Sequence, residues 1–281
     1  MKLKELRRRC REILTESNSA RPEYSADTII AHRLSLERAE LLYKDDEIPA
    51  QLCEGIFSAA AKRAKGVPLS YVLHEAEFFG YKFKVGRGVL IPRPETELLV
   101  EAALEHYSGR SACFADWCTG SGCIGLSLLL QNSALRGVGV DKSRAALKWA
   151  SINGKFHGLA DKFTLVRNEE PEKAPFEPNS FDFIIANPPY IPSREISSLM
   201  SEVRDYEPHT ALDGGEEGLD LYEKFFKAFP QLLKEGGMLF CEIGGDPQVH
   251  KLECLSAKNF ILVNKIYDYN GLIRHIIWRK K

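Results

Sequence analysis

The rhythm of apolar and polar positions changes twice along the 281 residues. Up to about residue 75 the period is helical. Leu3, Leu6, Cys10, Ile13 and Leu14 recur on one helix face, and Leu52, Ile56, Phe57 and Ala60 repeat the pattern after Pro49. Ala59-Ala60-Ala61 adds helix propensity. No strand-like alternation interrupts this segment, which predicts a small helical bundle over residues 1–75 with no chemical motif of its own. Residues 76–92 switch to a period of two. Phe78, Phe79, Tyr81, Phe83 and Val85 alternate around Gly80, Lys82 and Lys84, which predicts a hairpin-like linker. Pro92 and Pro94 punctuate it. Pro94 followed by Glu95, Thr96 and Glu97 then reads as a helix start with acidic groups in its first turn.

From residue 111 strands and helices alternate. The expected strands are Ala112–Asp116, Gly137–Val140, Phe163–Val166, Phe181–Ala186, Met238–Ile243, Phe260–Tyr267 and Ile273–Trp278, with helices such as Arg144–Asn153 and Leu219–Leu233 between the early ones. Alternation of this kind builds a parallel sheet from βαβ units. The last two strands are separated only by Asp268-Tyr269-Asn270-Gly271-Leu272, and Asn-Gly is a tight-turn signal, so this pair should run antiparallel. The polar stretch Asn168–Asn179 is expected to be a surface loop.

Composition narrows the picture modestly. An apolar share of 44% with 27% charged residues is that of a globular protein, and a formal net charge of -1 gives no general pull toward nucleic acid or membrane. The basic run Lys2, Lys4, Arg7, Arg8, Arg9 and Arg11 is interleaved with Glu5, Glu12 and Glu16. It reads either as a patch for an acidic partner or as a solvated helix face with i,i+4 pairs. Seven scattered cysteines fit neither a disulfide framework nor zinc spacing, which suits a reducing cytosol and leaves no metal-ligand set. The charged N-terminus lacks a following apolar run, and no segment approaches the ~18 apolar residues needed to span a bilayer.

Two loops carry candidate chemistry. Asp116-Trp117-Cys118-Thr119-Gly120-Ser121-Gly122 follows the first expected strand and opens a helix, where glycines let the backbone approach a ligand and helix-start amides face it. Asp141 ends the next strand, where a carboxylate can accept both hydroxyls of a ribose. Gly120, Gly122 and Gly125 with that acid also satisfy a dinucleotide fingerprint, which keeps a nicotinamide or flavin enzyme in view. Asp116 argues against it, since a carboxylate before the glycines would repel a pyrophosphate but could meet a sulfonium amino-acid ligand. The second loop, Asn187-Pro188-Pro189-Tyr190, caps the strand Phe181–Ala186. Ligands gather at the carboxyl ends of parallel strands, which puts Asn187 beside the glycine loop. The prolines stiffen the loop and leave carbonyl acceptors, Asn187 adds another, and Tyr190 offers a flat face. Such a site suits a planar amide or amine NH2.

Together with Pro68-Leu69-Ser70-Tyr71, Glu75-Ala76-Glu77-Phe78-Phe79-Gly80, Ile91-Pro92-Arg93-Pro94-Glu95-Thr96-Glu97, Glu202-Val203-Arg204, Glu207-Pro208 and Ala211-Leu212-Asp213-Gly214-Gly215, these loops give the chain a likeness over nearly its whole length. It resembles the protein-(glutamine-N5) methyltransferases that modify peptide-chain release factors. The Asn-Pro-Pro-Tyr motif alone is shared with adenine-N6 and some guanine-N2 nucleic-acid methyltransferases; the Ile91–Glu97 segment is more specific. Two departures stand out: Trp117 and Cys118 replace the family's Leu and first Gly, and Arg167-Asn168-Glu169 stands where Gly-Asp or Ser-Asp is usual near the adenine.

The resemblance implies an α/β fold, a Rossmann-like class I methyltransferase domain with a seven-stranded sheet over residues 93–281, behind a helical substrate-recognition bundle. It implies S-adenosyl-L-methionine bound by Asp116, Cys118, Thr119, Gly120, Ser121, Gly122, Asp141, Asn168 and Asn187. It implies a Gly-Gly-Gln glutamine held by Arg93, Asn187, Pro188, Pro189 and Tyr190, with Asn187, Pro188 and Tyr190 as the catalytic set. The expected partner is a release factor, with no membrane and no direct nucleic-acid substrate, and the enzyme is expected to act as a cytoplasmic monomer. A nucleic-acid methyltransferase and a non-catalytic module that binds a translation factor remain the alternatives.

Overall fold

The computed structural model describes residues 1–281. In chain order the first helices are α1 (Leu3–Glu16), α2 (Pro22–Leu34), α3 (Ala50–Ala64) and α4 (Leu69–Leu73). The hairpin strands β1 (Glu75–Phe78) and β2 (Tyr81–Lys84) follow, then α5 (Glu97–His106). The sheet comprises β3 (Ala112–Trp117), β4 (Leu135–Asp141), β5 (Phe163–Arg167), β6 (Phe181–Ala186), β7 (Leu233–Glu242), β8 (Phe260–Tyr267) and β9 (Ile273–Lys280). The remaining helices, in chain order, are α6 (Cys123–Gln131), α7 (Arg144–Phe156), α8 (Ser201–Tyr206), α9 (Asp220–Leu232) and α10 (Asp246–Ser256). No helix is long and apolar enough to cross a membrane.

The chain forms two compact units. The first is Met1–Glu75 together with Met200–Tyr206. Leu3, Leu6, Cys10 and Leu14 of α1 are fully buried against Ala26, Ile29 and Ile30 of α2 and Cys53, Ile56 and Ala60 of α3. The basic run on α1 is largely paired within this unit. Arg7 donates from Nε and Nη2 to Asp27 at 3.1 and 3.0 Å, Arg11 adds a third bond to Asp27 at 2.8 Å, and Arg8 bridges Glu5 and Glu12. Nothing in the sequence pattern announces that α8 belongs here. It is fastened by two polar contacts: buried Arg63 donates from Nη2 to Glu202 Oε1 at 2.7 Å, and Tyr206 OH donates to the Lys65 carbonyl at 2.7 Å.

The second unit is Ala76–Leu199 with Glu207–Lys281. Its sheet order is β5-β4-β3-β6-β7-β9-β8, parallel except for β9, which runs antiparallel to both neighbours. Alternate residues of each central strand face opposite cores. Phe114, Phe183, Ile185, Met238 and Phe240 join α5 and α6 on one side; Ala115, Ile184, Ala186, Leu239 and Cys241 join α9 and α10 on the other. The Asn-Gly turn forms as expected, with Asp268 Oδ1 accepting the amides of Asn270 and Leu272.

The sequence pattern missed some boundaries. β7 starts at Leu233 instead of Met238, because Lys234-Glu235-Gly236-Gly237 hides the strand behind polar residues and its register against β6 shifts between Phe181 and Phe183. The loop 168–179 contains a 3-10 turn at Pro171–Lys173 and turns inward at Phe176, whose ring meets Trp117 and Phe181 edge-on. The hairpin expected as a linker is anchored on α7. Asn153 accepts the Lys84 amide at 2.6 Å and donates to the carbonyls of Lys84 and Ser121, both at 2.9 Å.

Candidate active site

Strand order reverses between β3 and β6: the chain leaves β3 toward β4 on one side and returns to β6 on the other. A crevice opens at such a switch point, beyond the carboxyl ends of the strands. Trp117 and Ala186 are level in the sheet, so Cys118 and Asn187 leave it side by side.

The loop after β3 is tightly wound. Cys118, Gly120 and Gly122 have φ of 60°, 56° and 81°. The Thr119 amide donates to the Val140 carbonyl at 3.0 Å and the Gly122 amide to the Thr119 carbonyl at 2.8 Å. Asp116 lies beneath, fully buried. Its Oδ2 accepts from Thr119 Oγ1 at 2.6 Å and from the Gly125 amide at 3.0 Å, which staples the loop to the start of α6. Its Oδ1 is buried without a partner, and burial raises the carboxyl pKa to about 7. Asp141, ending β4, accepts the Gly120 amide at 3.0 Å and the Ser143 amide at 2.8 Å, one on each oxygen. A carboxylate has about four acceptor directions, so two remain. Burial raises this acid as well, against the pull of the two amides.

The loop after β6 is fixed from two sides. Asn187 Nδ2 donates to Thr96 Oγ1 at 3.1 Å, and Thr96 Oγ1 donates to Glu242 Oε2 at 2.6 Å. Tyr190 OH donates to Glu242 Oε1 at 3.0 Å. Burial, and after it the Glu242 carboxylate, holds the Tyr190 phenol well above its usual range. Further along, the Ile191 amide donates to the Leu212 carbonyl at 3.1 Å and the Gly214 amide to the Ile191 carbonyl at 2.9 Å. Gln248 Nε2 donates to the Tyr190 carbonyl at 2.9 Å. The segment Ala211–Gly215 is thus the splint of the Asn-Pro-Pro-Tyr loop. Neither Asn187 Oδ1 nor the Pro188 carbonyl accepts a hydrogen bond within the chain.

Between the two loops lies an open cleft. Of the residues expected from sequence, Arg93, Cys118, Thr119, Gly120, Ser121, Asp141, Asn168, Asn187 and Pro189 line it. Asp116, Gly122, Pro188 and Tyr190 do not. Asp116 and Gly122 support the loop from below. Tyr190, expected as a stacking face in the cleft, instead has its hydroxyl on Glu242 and borders a second hollow with Pro192 and Gln248. Arg93 is clamped by buried Glu207, which takes its Nη2 at 2.6 Å and the Ile91 amide at 3.0 Å. Thr96, Glu207 and Glu242 were given no site role from sequence. The available signal was an acid inside an otherwise apolar strand end, as at Glu242, where burial demands partners.

Known proteins share this fold. The fold is similar to a methyltransferase from Pyrococcus furiosus, with a TM-score of 0.55 at 14% identity over 72% of this chain and 90% of that one. It is also similar to the ribosomal protein L11 methylase of Lactobacillus delbrueckii subsp. bulgaricus, with a TM-score of 0.51 at 16% identity over 73% of this chain and 90% of that one. A seven-stranded sheet of this order is the Rossmann-like class I methyltransferase fold. Residues 5–73 match the PrmC N-terminal domain family and residues 126–243 the Eco57I restriction-modification methylase family. The release factor glutamine methyltransferase of Thermodesulfovibrio yellowstonii is 39% identical over 260 residues, 91% of each chain. That of Clostridium acetobutylicum is 33% identical over 281 residues, 99% of this chain and 98% of the other. The chain belongs to the release factor glutamine methyltransferase family.

Proposed function

We propose that the enzyme transfers a methyl group from S-adenosyl-L-methionine to the side-chain amide nitrogen of the glutamine in the Gly-Gly-Gln loop of a peptide-chain release factor. The observation that carries this reading is the placement of Asn187 on the cleft shared with the glycine loop, its Nδ2 engaged by Thr96 and its Oδ1 open. The cleft suits the cofactor. Asp141 keeps acceptor directions for two ribose hydroxyls. Ser121 and Asn168 line the cleft, and each carries a buried side-chain oxygen without a partner in the chain. When bound, S-adenosyl-L-methionine supplies an electrophilic sulfonium methyl.

The difficulty lies with the acceptor, because an amide nitrogen delocalises its lone pair into its carbonyl. Asn187 Oδ1 accepts an N–H of the glutamine, which aims the lone pair and stabilises charge growing on nitrogen. No general base precedes transfer, since the alkylated nitrogen becomes acidic and releases its proton readily. The helical unit supplies remote contact with the folded factor, because a glutamine on a flexible loop offers little rigid surface of its own. Seven free cysteines suit a reducing cytoplasm.

The test is competition. Purified enzyme is incubated with labelled S-adenosyl-L-methionine and release factor, DNA and tRNA, which also probes the nucleic-acid reading that the Eco57I match keeps in view. Release factor should take the label, and Asn187→Ala should lower turnover by about 10²–10³ with little change in cofactor affinity. Label in nucleic acid alone, or near-normal turnover in the variant, contradicts the proposal.

A further inference from the structure

The Asn187 amide can sit in its socket two ways, related by a half-turn that exchanges Oδ1 and Nδ2. Only one way offers an acceptor to the cleft. The direction of the hydrogen bonds behind it decides between them. Thr96 Oγ1 has a single proton and touches two side chains, Asn187 Nδ2 at 3.1 Å and Glu242 Oε2 at 2.6 Å. The shorter contact lies in the range of a hydroxyl bonded to a carboxylate, which is about twice as strong as a neutral bond. The Thr96 proton therefore goes to Glu242. Thr96 is left able only to accept, and the amide end that faces it must be the donor, Nδ2.

Glu242 is built to hold that direction. It is 1% exposed, at the end of β7, and Tyr222 OH donates to its carbonyl at 2.5 Å. Its other carboxylate oxygen takes the Tyr190 hydroxyl proton at 3.0 Å, so both ends of the Asn-Pro-Pro-Tyr loop answer to one carboxylate. His275, completely buried on β9, stands with Nε2 3.6 Å from Oε2, beyond hydrogen-bond range. Both Glu242 oxygens accept here, Oε2 from Thr96 and Oε1 from Tyr190, so the relay runs one way.

We propose that Thr96 and Glu242 are positioning residues: through a buried relay from Asn187 to Thr96 to Glu242 they fix which end of the Asn187 amide faces the acceptor. This rests on the functional reading given above, in which Oδ1 holds the glutamine nitrogen. Glu242 touches neither cofactor nor substrate; it acts through Thr96 and Tyr190. Substitution here should cost less than removing the acceptor itself, because the Asn187 amide remains and loses only its fixed orientation.

The experiment compares wild type, Thr96→Val, Thr96→Ser and Glu242→Gln in the full chain. Turnover and KM for release factor, cofactor affinity by calorimetry, and melting temperature are measured for each. Thr96→Val keeps the shape and loses the hydroxyl; it should lower kcat about tenfold at nearly unchanged cofactor affinity. Thr96→Ser should recover most of that loss. Glu242→Gln brings N–H groups into a place that accepts only, and should fall near Thr96→Val. Wild-type kcat in Thr96→Val, or a Thr96→Ser variant as slow as Thr96→Val, overturns the proposal. Should Thr96→Val not fold, undiminished kcat in Glu242→Gln does the same. A neutron structure separates this proposal from the functional one. Nδ2 toward Thr96 in wild type, with mixed orientation in a Thr96 or Glu242 variant, supports the relay whatever the substrate. Oδ1 toward Thr96 in wild type overturns it. If that structure shows the relay and wild type leaves release factor unlabelled, the functional reading alone fails.

Discussion

Asp116 carries its proton to an unusual pH for a carboxyl group, and that has a measurable sign. Burial lifts its pKa from the ordinary 3.8 to about 7 in the folded chain, against the pull of Thr119 and the Gly125 amide. Between those values the folded chain holds a proton that the unfolded chain releases. Stability is therefore fully present below the unfolded value and is lost as pH rises through about 7. Asp116→Asn removes the titration. Melting curves of the cofactor-free protein should show wild type gaining on the variant as pH falls across this window; parallel curves would contradict the assignment. Cys118 supplies a second prediction. Its φ of 60° lies where a side chain is strained by about 1 kcal/mol or more. Cys118→Gly should raise the melting temperature and keep or improve cofactor affinity, and a loss of affinity would mean that the thiol itself contacts the ligand. The residue types of this site were legible because glycines, an acid and prolines at strand ends have local consequences. The partner of Asn187 was not. A hydrogen bond to Thr96, 91 positions away, leaves no mark in either segment until the fold joins them.

At the scale of elements, the loop after β6 is shaped by what it leans on. Gly218, at φ 74°, lies against the Tyr190 carbonyl oxygen, and any Cβ there would collide with it and press on Gln248 Nε2 at 2.6 Å. Gly218→Ala should destabilise the protein by about 2 kcal/mol or more. It should also slow methyl transfer while leaving cofactor affinity largely intact, since the glycine loop stands apart from it. Unchanged melting and turnover would show that this close packing on the Tyr190 carbonyl is dispensable. Strand positions were legible where apolar runs were continuous, as at Phe181–Ala186 and Phe260–Tyr267, which the structure reproduces residue for residue. β7 was not, because its first half is written in lysine, glutamate and glycine. The antiparallel turn at Asp268–Leu272 was, because Asn-Gly and a capping aspartate dictate it locally.

For the molecule as a whole, periodicity separated a helical segment from a sheet segment, since each unit buries its own core. It did not show the chain returning to the helical unit at Met200–Tyr206, a short stretch with no buried residue in its helix and two polar fastenings. Topology then explains why the motifs meet: only the reversal of strand order at β3 and β6 brings Cys118 and Asn187 side by side. The central claim is that this meeting point methylates a glutamine amide held by Asn187. Tandem mass spectrometry of intact release factor, after incubation with S-adenosyl-L-methionine and either wild type or Asn187→Ala, tests it most directly. The account predicts one methyl group on the side-chain nitrogen of the Gly-Gly-Gln glutamine with wild type and almost none with the variant. A methyl group on any other residue, or equal modification by the two enzymes, would contradict it.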